Sequence, residues 1–360
     1  MGLKFFNIFC TNNMPHILEK IFFYLDYKSF KTCLEVSNTW NELLTSESFQ
    51  RKGKYVFQCD LLEDERKLWN ASAEGRLDDV RRLLSTGMAN VNSDIEENGS
   101  TPLCEAALYG HKNVAEFLLN KNADINKTDS DGRSPVYMAA FEGHDSVVRL
   151  LLDKGADPNQ VNNRGSTPLY YAARWGHKDV VRVLLDGGAK PNKIGNSGET
   201  PIFGAAGAGH YHVVKVLLDA GSECDITDSN GTSPLYWATR ENHKNVKYVV
   251  QLLLSEGADP NKADQDGDTP LHLAAREDQK DVVQLLLDGG ANHTIPNRDG
   301  NTPLDEARRN GTKGIFQLFL NRKMDEHNPD RWTSTKKGRK CRKRKQNVGN
   351  SKTREDISSD

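Results

Sequence analysis

The chain has 360 residues, 36% of them hydrophobic, with 48 Lys/Arg against 50 Asp/Glu and a formal net charge of −2. The charge is unevenly placed: residues 321–360 hold 13 basic and 6 acidic residues, leaving 35 and 44 for 1–320, so an acidic body (−9) carries a basic tail (+7). That balance argues against nucleic acid as the partner of the body, and no stretch is long and apolar enough to span a membrane.

The six cysteines, Cys10, Cys33, Cys59, Cys104, Cys224 and Cys341, are scattered and show no metal-ligand spacing. A reduced compartment, cytoplasmic or nuclear, with neither a disulfide framework nor a zinc site, is the expectation. Residues 1–13 form an N-terminal extension that lacks the graded regions of a signal peptide. Gly2 invites lipidation, but Phe6 stands where that motif needs Ser or Thr.

Residues 14–52 are richer in large apolar side chains than anything that follows. Ile17, Leu18, Ile21, Phe22 and Leu25 make one stripe of a helix, Asp26 and Tyr27 break it, and Phe30, Leu34, Val36 and Trp40 predict one or two shorter helices. About forty residues bury little core of their own, so this block is expected to lean on another surface. Met14-Pro15, Ile17-Leu18, Ile21-Phe22, Tyr24-Leu25-Asp26, Val36 and Trp40 resemble the landmarks of an F-box. Met14 replaces the usual Leu and Ser37 a frequent Cys, but no apolar anchor is lost. The resemblance implies a Skp-family adaptor as partner, joined to a cullin scaffold, with Pro15, Leu18, Ile21, Phe22, Leu25, Leu34 and Trp40 at the contact or in its supporting core.

A linker, 53–65, leads to the longest part of the chain. From 66 to 323 a Thr/Ser-Pro pair recurs at Thr101, Ser134, Thr167, Thr200, Ser233, Thr269 and Thr302, in steps of 33, 33, 33, 33, 36 and 33. One copy, Gly165 to Ser197, shows the logic. Thr167 is an N-cap and Pro168 occupies the first helical position, where a missing N–H is harmless. Leu169, Ala172 and Ala173 follow at helical spacing, and Gly176 ends the helix. A second helix begins near Asp179 with Val180, Val181, Leu184 and Leu185 on one face, and Gly187-Gly188 ends it. The polar run to Gly198 then returns the chain as a loop or hairpin.

Such short helices are marginal alone, so stacked neighbours must supply the core. The 33-residue period and the Thr-Pro-Leu-X-X-Ala-Ala opening resemble the ankyrin repeat, over about seventy per cent of the chain. That resemblance implies an all-α solenoid of helix-turn-helix units with hairpin loops. Eight copies are expected: 68–84 as an atypical first cap without Thr-Pro, and a charged last copy with a weak start to its second helix at Thr312 to Gly314. The 36-residue step is expected to lengthen or bulge the helix within His243 to Leu254.

Beyond 323 the chain turns polar, and 324–360 reads as a disordered basic tail. Lys336, Lys337, Arg339, Lys340, Arg342, Lys343, Arg344 and Lys345 make eight of ten residues basic, the pattern of a nuclear-import signal.

No phosphate-cradling loop, nucleophile elbow or Cys/His pair is found, so no enzyme activity and no cofactor is expected. His111, His144, His177 and His210 each follow a Gly at the repeat period. They are expected to bond neighbouring loop backbone, one per unit, rather than converge on a metal. Binding remains. In an ankyrin stack the residues just before each Gly-His, or its equivalent, face a concave groove, here Leu108-Tyr109, Phe141-Glu142, Arg174-Trp175, Gly207-Ala208, Arg240-Glu241, Arg276-Glu277 and Arg308-Arg309. Tyr109, Phe141, Arg174 and Trp175, flanked by Arg240 and Arg276, are therefore the expected partner-binding centre. In the fourth copy Arg164, Ser166, Arg174 and Trp175 depart most from their siblings. The resemblances together imply a substrate-recognition subunit of an SCF-type ubiquitin ligase, its protein substrate unknown. The alternative is a non-enzymatic ankyrin scaffold or nuclear regulator whose N-terminal helices only cap the stack.

Overall fold

The computed structural model describes residues 63–326, without Met88, 95–97 and 242–244 and without the side chains of 313 and 321–326. The F-box-like block with its seven named anchors, most of the linker and the basic run at 336–345 lie outside the described residues, as does His243.

Among the described residues every regular element is a helix, and the helices come in pairs. The first pair is α1 (63–73) and α2 (Leu77–Ser85). Then follow α3 (Pro102–Leu108) with α4 (Lys112–Asn120), and α5 (Pro135–Glu142) with α6 (Asp145–Asp153). The middle holds α7 (Pro168–Arg174) with α8 (Lys178–Asp186), and α9 (Pro201–Gly207) with α10 (Tyr211–Asp219). The stack closes with α11 (Pro234–Arg240) and α12 (Val246–Ser255), α13 (Pro270–Arg276) and α14 (Lys280–Asp288), and α15 (Pro303–Arg309) and α16 (Lys313–Glu326).

Local chemistry starts each pair as expected. Pro opens every first helix from α3 onward, and the side chains of Thr101, Ser134, Thr167, Ser233 and Thr302 accept the N–H three residues on. Odd-numbered helices pack on odd-numbered neighbours and even on even, so the chain is two parallel layers one helix thick. Between the layers lie Val180, Val181 and Leu184 and their counterparts in the inner units, each essentially fully buried. Such a side chain contributes about 1.5–3 kcal/mol by leaving water. Paired alanines such as Ala172-Ala173 and Ala205-Ala206 are equally buried, their small size allowing the first helices to pack closely.

Three ladders of hydrogen bonds tie unit to unit. Nε2 of His111, His144, His177 and His210 bonds the carbonyl of Ala73, Leu108, Phe141 and Arg174 respectively, each in the last turn of the preceding first helix. Gln279 takes this part with Thr239 O and Asn310 with Arg276 O. The approach needs glycine: a Cβ on Gly176, whose φ is +80°, would lie 2.7 Å from the His210 ring. In the second ladder, Oδ1 of Asn126, Asn159, Asn192 and Asn261 accepts the backbone N–H of Asp157, Lys190, Glu223 and Asn292 in the following unit. The third joins loop tips by backbone alone, as in Asn163 N–H to Asp131 O at 2.9 Å and Ser229 N–H to Ser197 O at 2.9 Å.

Four sequence expectations are refined. Residues 63–65, assigned to the linker, are helical, and Glu65 is buried within the first unit. The last helix runs to Glu326, three residues past the expected end at 323, and it starts firmly because Ile315 and Phe319 are buried and Thr312 Oγ1 bonds Ala307 O. The long repeat extends α12 by a single residue over its siblings. Its start lies twelve residues after Pro234, against ten from Pro168 to Lys178, so the other two fall in the connection ahead of it. Glu306, one of the charges of the last copy, is buried.

Candidate protein-binding groove

The side of the first helices nearest the loop tips forms one face, in which Glu105, Met138, Leu273 and Glu306 are buried and Tyr171 and Trp237 half-buried. Counting from each N-cap, the fourth residue gives the column Glu105, Met138, Tyr171, Gly204, Trp237, Leu273 and Glu306. The seventh gives Leu108, Phe141, Arg174, Gly207, Arg240, Arg276 and Arg309.

Aromatic rings from adjacent units meet here. Phe141 lies 5.5 Å from Tyr171 and 5.8 Å, edge to face, from Trp175, and Tyr171 lies 5.3 Å from Tyr137. Trp175 is 53% exposed, so this cluster presents a ring to solvent that no neighbouring unit covers. Phe141 and Trp175, one position apart in the repeat, are brought together across adjacent units. Tyr109 is also open, but its ring stacks on His111 of its own unit, 6.5 Å away. Arg240 lies 5.1 Å over the Trp237 ring, a cation–π contact.

Arg276 behaves differently from its expected role. Its guanidinium bonds Asp268 at 2.7 Å and Glu306 at 3.2 Å, and both carboxylates are largely buried. Burial alone would lower its pKa, but the bonds to Glu306 and Asp268 outweigh that and raise it. Arg276 therefore ties the last two units together instead of facing a partner.

The residue at the third helical position reaches into the next loop. Tyr170 Oη donates to Glu199 Oε2 at 2.8 Å, Tyr236 Oη donates to Asp264 Oδ2, and Tyr137 Oη accepts from Asn162 Nδ2 at 3.0 Å. Burial, reinforced for Tyr170 and Tyr236 by the adjacent carboxylate, raises all three phenol pKa values, so the hydroxyls remain protonated. His272 occupies this position once, and burial lowers its pKa. Its Nδ1 accepts the Thr269 N–H at 3.0 Å and its Nε2–H bonds Asn301 O at 3.1 Å, an arrangement that suits a neutral ring.

Two open clefts lie on this face. One, of about 280 Å³, is bordered by Arg164, Tyr170, Arg174, Lys193, Gly195 and Glu199. The other, of about 230 Å³, lies between Trp175 and Trp237 over Gly204 and Gly207. Arg164, Ser166, Arg174 and Trp175, distinctive in sequence, all border one cleft or the other. Tyr171, Lys193, Gly204, Gly207 and Trp237 also line them without standing out in the sequence, though the column four residues after the N-cap contains three of them. The buried Cys104 thiol, pushed up to about 11 by burial, is unsuited to nucleophilic chemistry. Among the described residues, no three His, Cys, Asp or Glu side chains converge as a metal site, and no helix is long and apolar enough to cross a membrane.

The family model for ankyrin repeats matches residues 50–129, 121–195, 188–250 and 247–330, and the chain belongs to the ankyrin-repeat family. Ahead of the array, residues 12–52 match the F-box domain. The chain is similar to the crystal structure of the ankyrin repeat domain of Bcl-3, described as a unique member of the IkappaB protein family. The TM-score is 0.54 at 29% identity, covering 61% of this chain and 99% of that one. It is also 37% identical over 64 residues to an ankyrin repeat-containing protein of Schizosaccharomyces pombe. That match covers 18% of this chain and 30% of the relative's length. F-box domains bind Skp-type adaptors and ankyrin arrays bind proteins, so the chain combines two protein-interaction modules of typically non-catalytic families.

Proposed function

We propose that this protein is the substrate-recognition subunit of an SCF-type cullin-RING ubiquitin ligase. The F-box segment binds the Skp-family adaptor, the cullin scaffold joins through that adaptor, and the ankyrin groove holds the protein to be ubiquitinated. The mechanism is tethering: holding a target beside the charged ubiquitin-conjugating enzyme raises the effective concentration of its lysines without any chemistry by this chain. Tyr109, Phe141, Arg174, Trp175 and Arg240 form the partner-facing set. The basic run at 336–345 serves nuclear import.

The observation that carries this reading is the order of modules, an F-box match at 12–52 immediately ahead of an array whose groove presents an aromatic cluster. Co-expression of the full chain with a Skp-family adaptor tests it. A stoichiometric complex, abolished by Leu18→Asp with Leu25→Asp while the helical circular dichroism of the array is retained, is expected. A folded full chain that leaves the adaptor unbound would overturn the ligase reading in favour of a free ankyrin scaffold.

A further inference from the structure

The fifth unit is unlike every other on the groove face. Both columns that carry large side chains elsewhere hold glycine there, Gly204 and Gly207, while the flanking units supply Tyr171 and Arg174 on one side and Trp237 and Arg240 on the other. Glycine inside a helix is unfavourable relative to alanine, so packing should justify it. At Gly204 it does, because a Cβ would sit 3.1 Å from Arg174 Cβ. At Gly207 it does not: the φ is ordinary, and a Cβ would meet only Trp237, at 3.6 Å, an ordinary contact. What Gly207 does is keep the slot between Trp175 and Trp237 open, with room for one large side chain.

The adjoining cleft shares Tyr170, Arg174 and Glu199 with the slot and is opened by another missing side chain. Loop tips elsewhere begin with Asp129, Asn162, Asp228, Asp264 or Asn297, whose Oδ1 accepts the N–H groups two and four residues on. Gly195 stands there in the fourth unit and offers no acceptor. Arg164, Arg174 and Lys193 border the gap, none of them in an ion pair among the described residues. Glu199 is the one acidic side chain lining it, and it already accepts the Tyr170 hydroxyl.

We propose that this part of the groove reads an extended acidic peptide segment of the partner, with one apolar side chain inserted between Trp175 and Trp237 and a neighbouring carboxylate held by Arg164, Arg174 and Lys193. The charge decides the occupant. Arg164, Arg174 and Lys193 outnumber the carboxylates Glu199 and Glu241 along the two clefts, on a body that is otherwise acidic, so they complement a carboxylate-bearing chain and would repel the protein's own basic tail. The inference rests on the groove being the partner-binding face and adds the chemistry of what it binds.

The test is selection of a random phage-displayed peptide library against the full chain, followed by affinity measurement of the enriched peptides by fluorescence polarisation. Enriched sequences should pair an aromatic or aliphatic residue with nearby Asp or Glu. Their affinity should fall roughly tenfold or more in Gly207→Phe and in Arg164→Glu with Lys193→Glu. It should hold in Arg149→Glu, an exposed charge change on α6 outside the groove. Gly207→Ala, expected to unfold at a higher temperature than wild type, guards against misfolding as the cause and should also bind more weakly. Enrichment without acidic residues, absence of binders, or full affinity in the Gly207 and Arg164 variants overturns the proposal. If those variants bind normally but Trp175→Ala does not, the groove stands and the slot falls; indifference to Trp175→Ala as well removes both.

Discussion

Arg174 and Arg276 hold the same position in their units, seven residues after the N-cap, yet their surroundings give them opposite roles. Arg276 looks across to Glu306 of the next unit and down to Asp268 of its own loop, and its charge is used within the stack. Arg174 looks across to Gly204, the counterpart of Glu306, and Ser166 stands where Arg276 has Asp268, so Arg174 is in no ion pair among the described residues and its charge is left for a visitor. In this solenoid the meaning of a residue at the seventh position is set by the fourth position one unit along. An arginine is structural where its neighbour is acidic and available where its neighbour is glycine.

Substitution should separate the two roles. Arg276→Ala leaves the buried Glu306 with only the more distant and exposed Arg309, 3.8 Å away, and we expect a loss of about 2 kcal/mol in urea unfolding. That is below the ~3–5 kcal/mol of a fully buried pair because the guanidinium is partly exposed and screened. Arg174→Ala should change stability by less than ~0.5 kcal/mol. Equal losses would erase the contrast.

The two glycine environments give the next largest effect. Gly176→Ala forces a side chain into the His210 ring at positive φ and should lose about 1–3 kcal/mol. Gly207→Ala should gain up to ~1 kcal/mol from helix propensity. Thermal melts of both variants decide whether Gly207 serves the slot or the fold.

Between these lies the loop ladder. Asn192→Ala removes an acceptor for Glu223 N–H and a donor to Gly221 O, so about 1 kcal/mol should be lost, measurable as local amide exchange in the fifth unit. The smallest effect is in acid. Burial depresses the His272 pKa, so the unfolded chain binds the proton more readily than the folded one below its ordinary 6.5. Its contribution is fully present above pH 6.5 and is lost as pH falls from there through the depressed folded value. His272→Gln should flatten that part of the melting-temperature profile.

Much of the fold is legible in the order of residues alone. The Thr/Ser-Pro register locates each first helix from 102 onward, because N-caps and prolines act within a few residues. The Gly-His pairs announce contacts to neighbouring backbone, and Arg164, Arg174 and Trp175 stand out as departures from the repeat. Arg276 misleads because its partners are eight and thirty residues away, and Glu306 looks like surface charge for the same reason. Gly207 is legible only as one more groove position, and Gly204 and Gly195 escape notice, because a missing side chain has no signature until the walls around it are known.

Local rules with a reach of one turn or one loop suffice for the sequence to determine the repeat, its helix pairs and the apolar anchors of its core. Which side chains on the groove face are spoken for and which remain open is decided only when the units stack, since each residue there finds its partner some thirty positions along the chain.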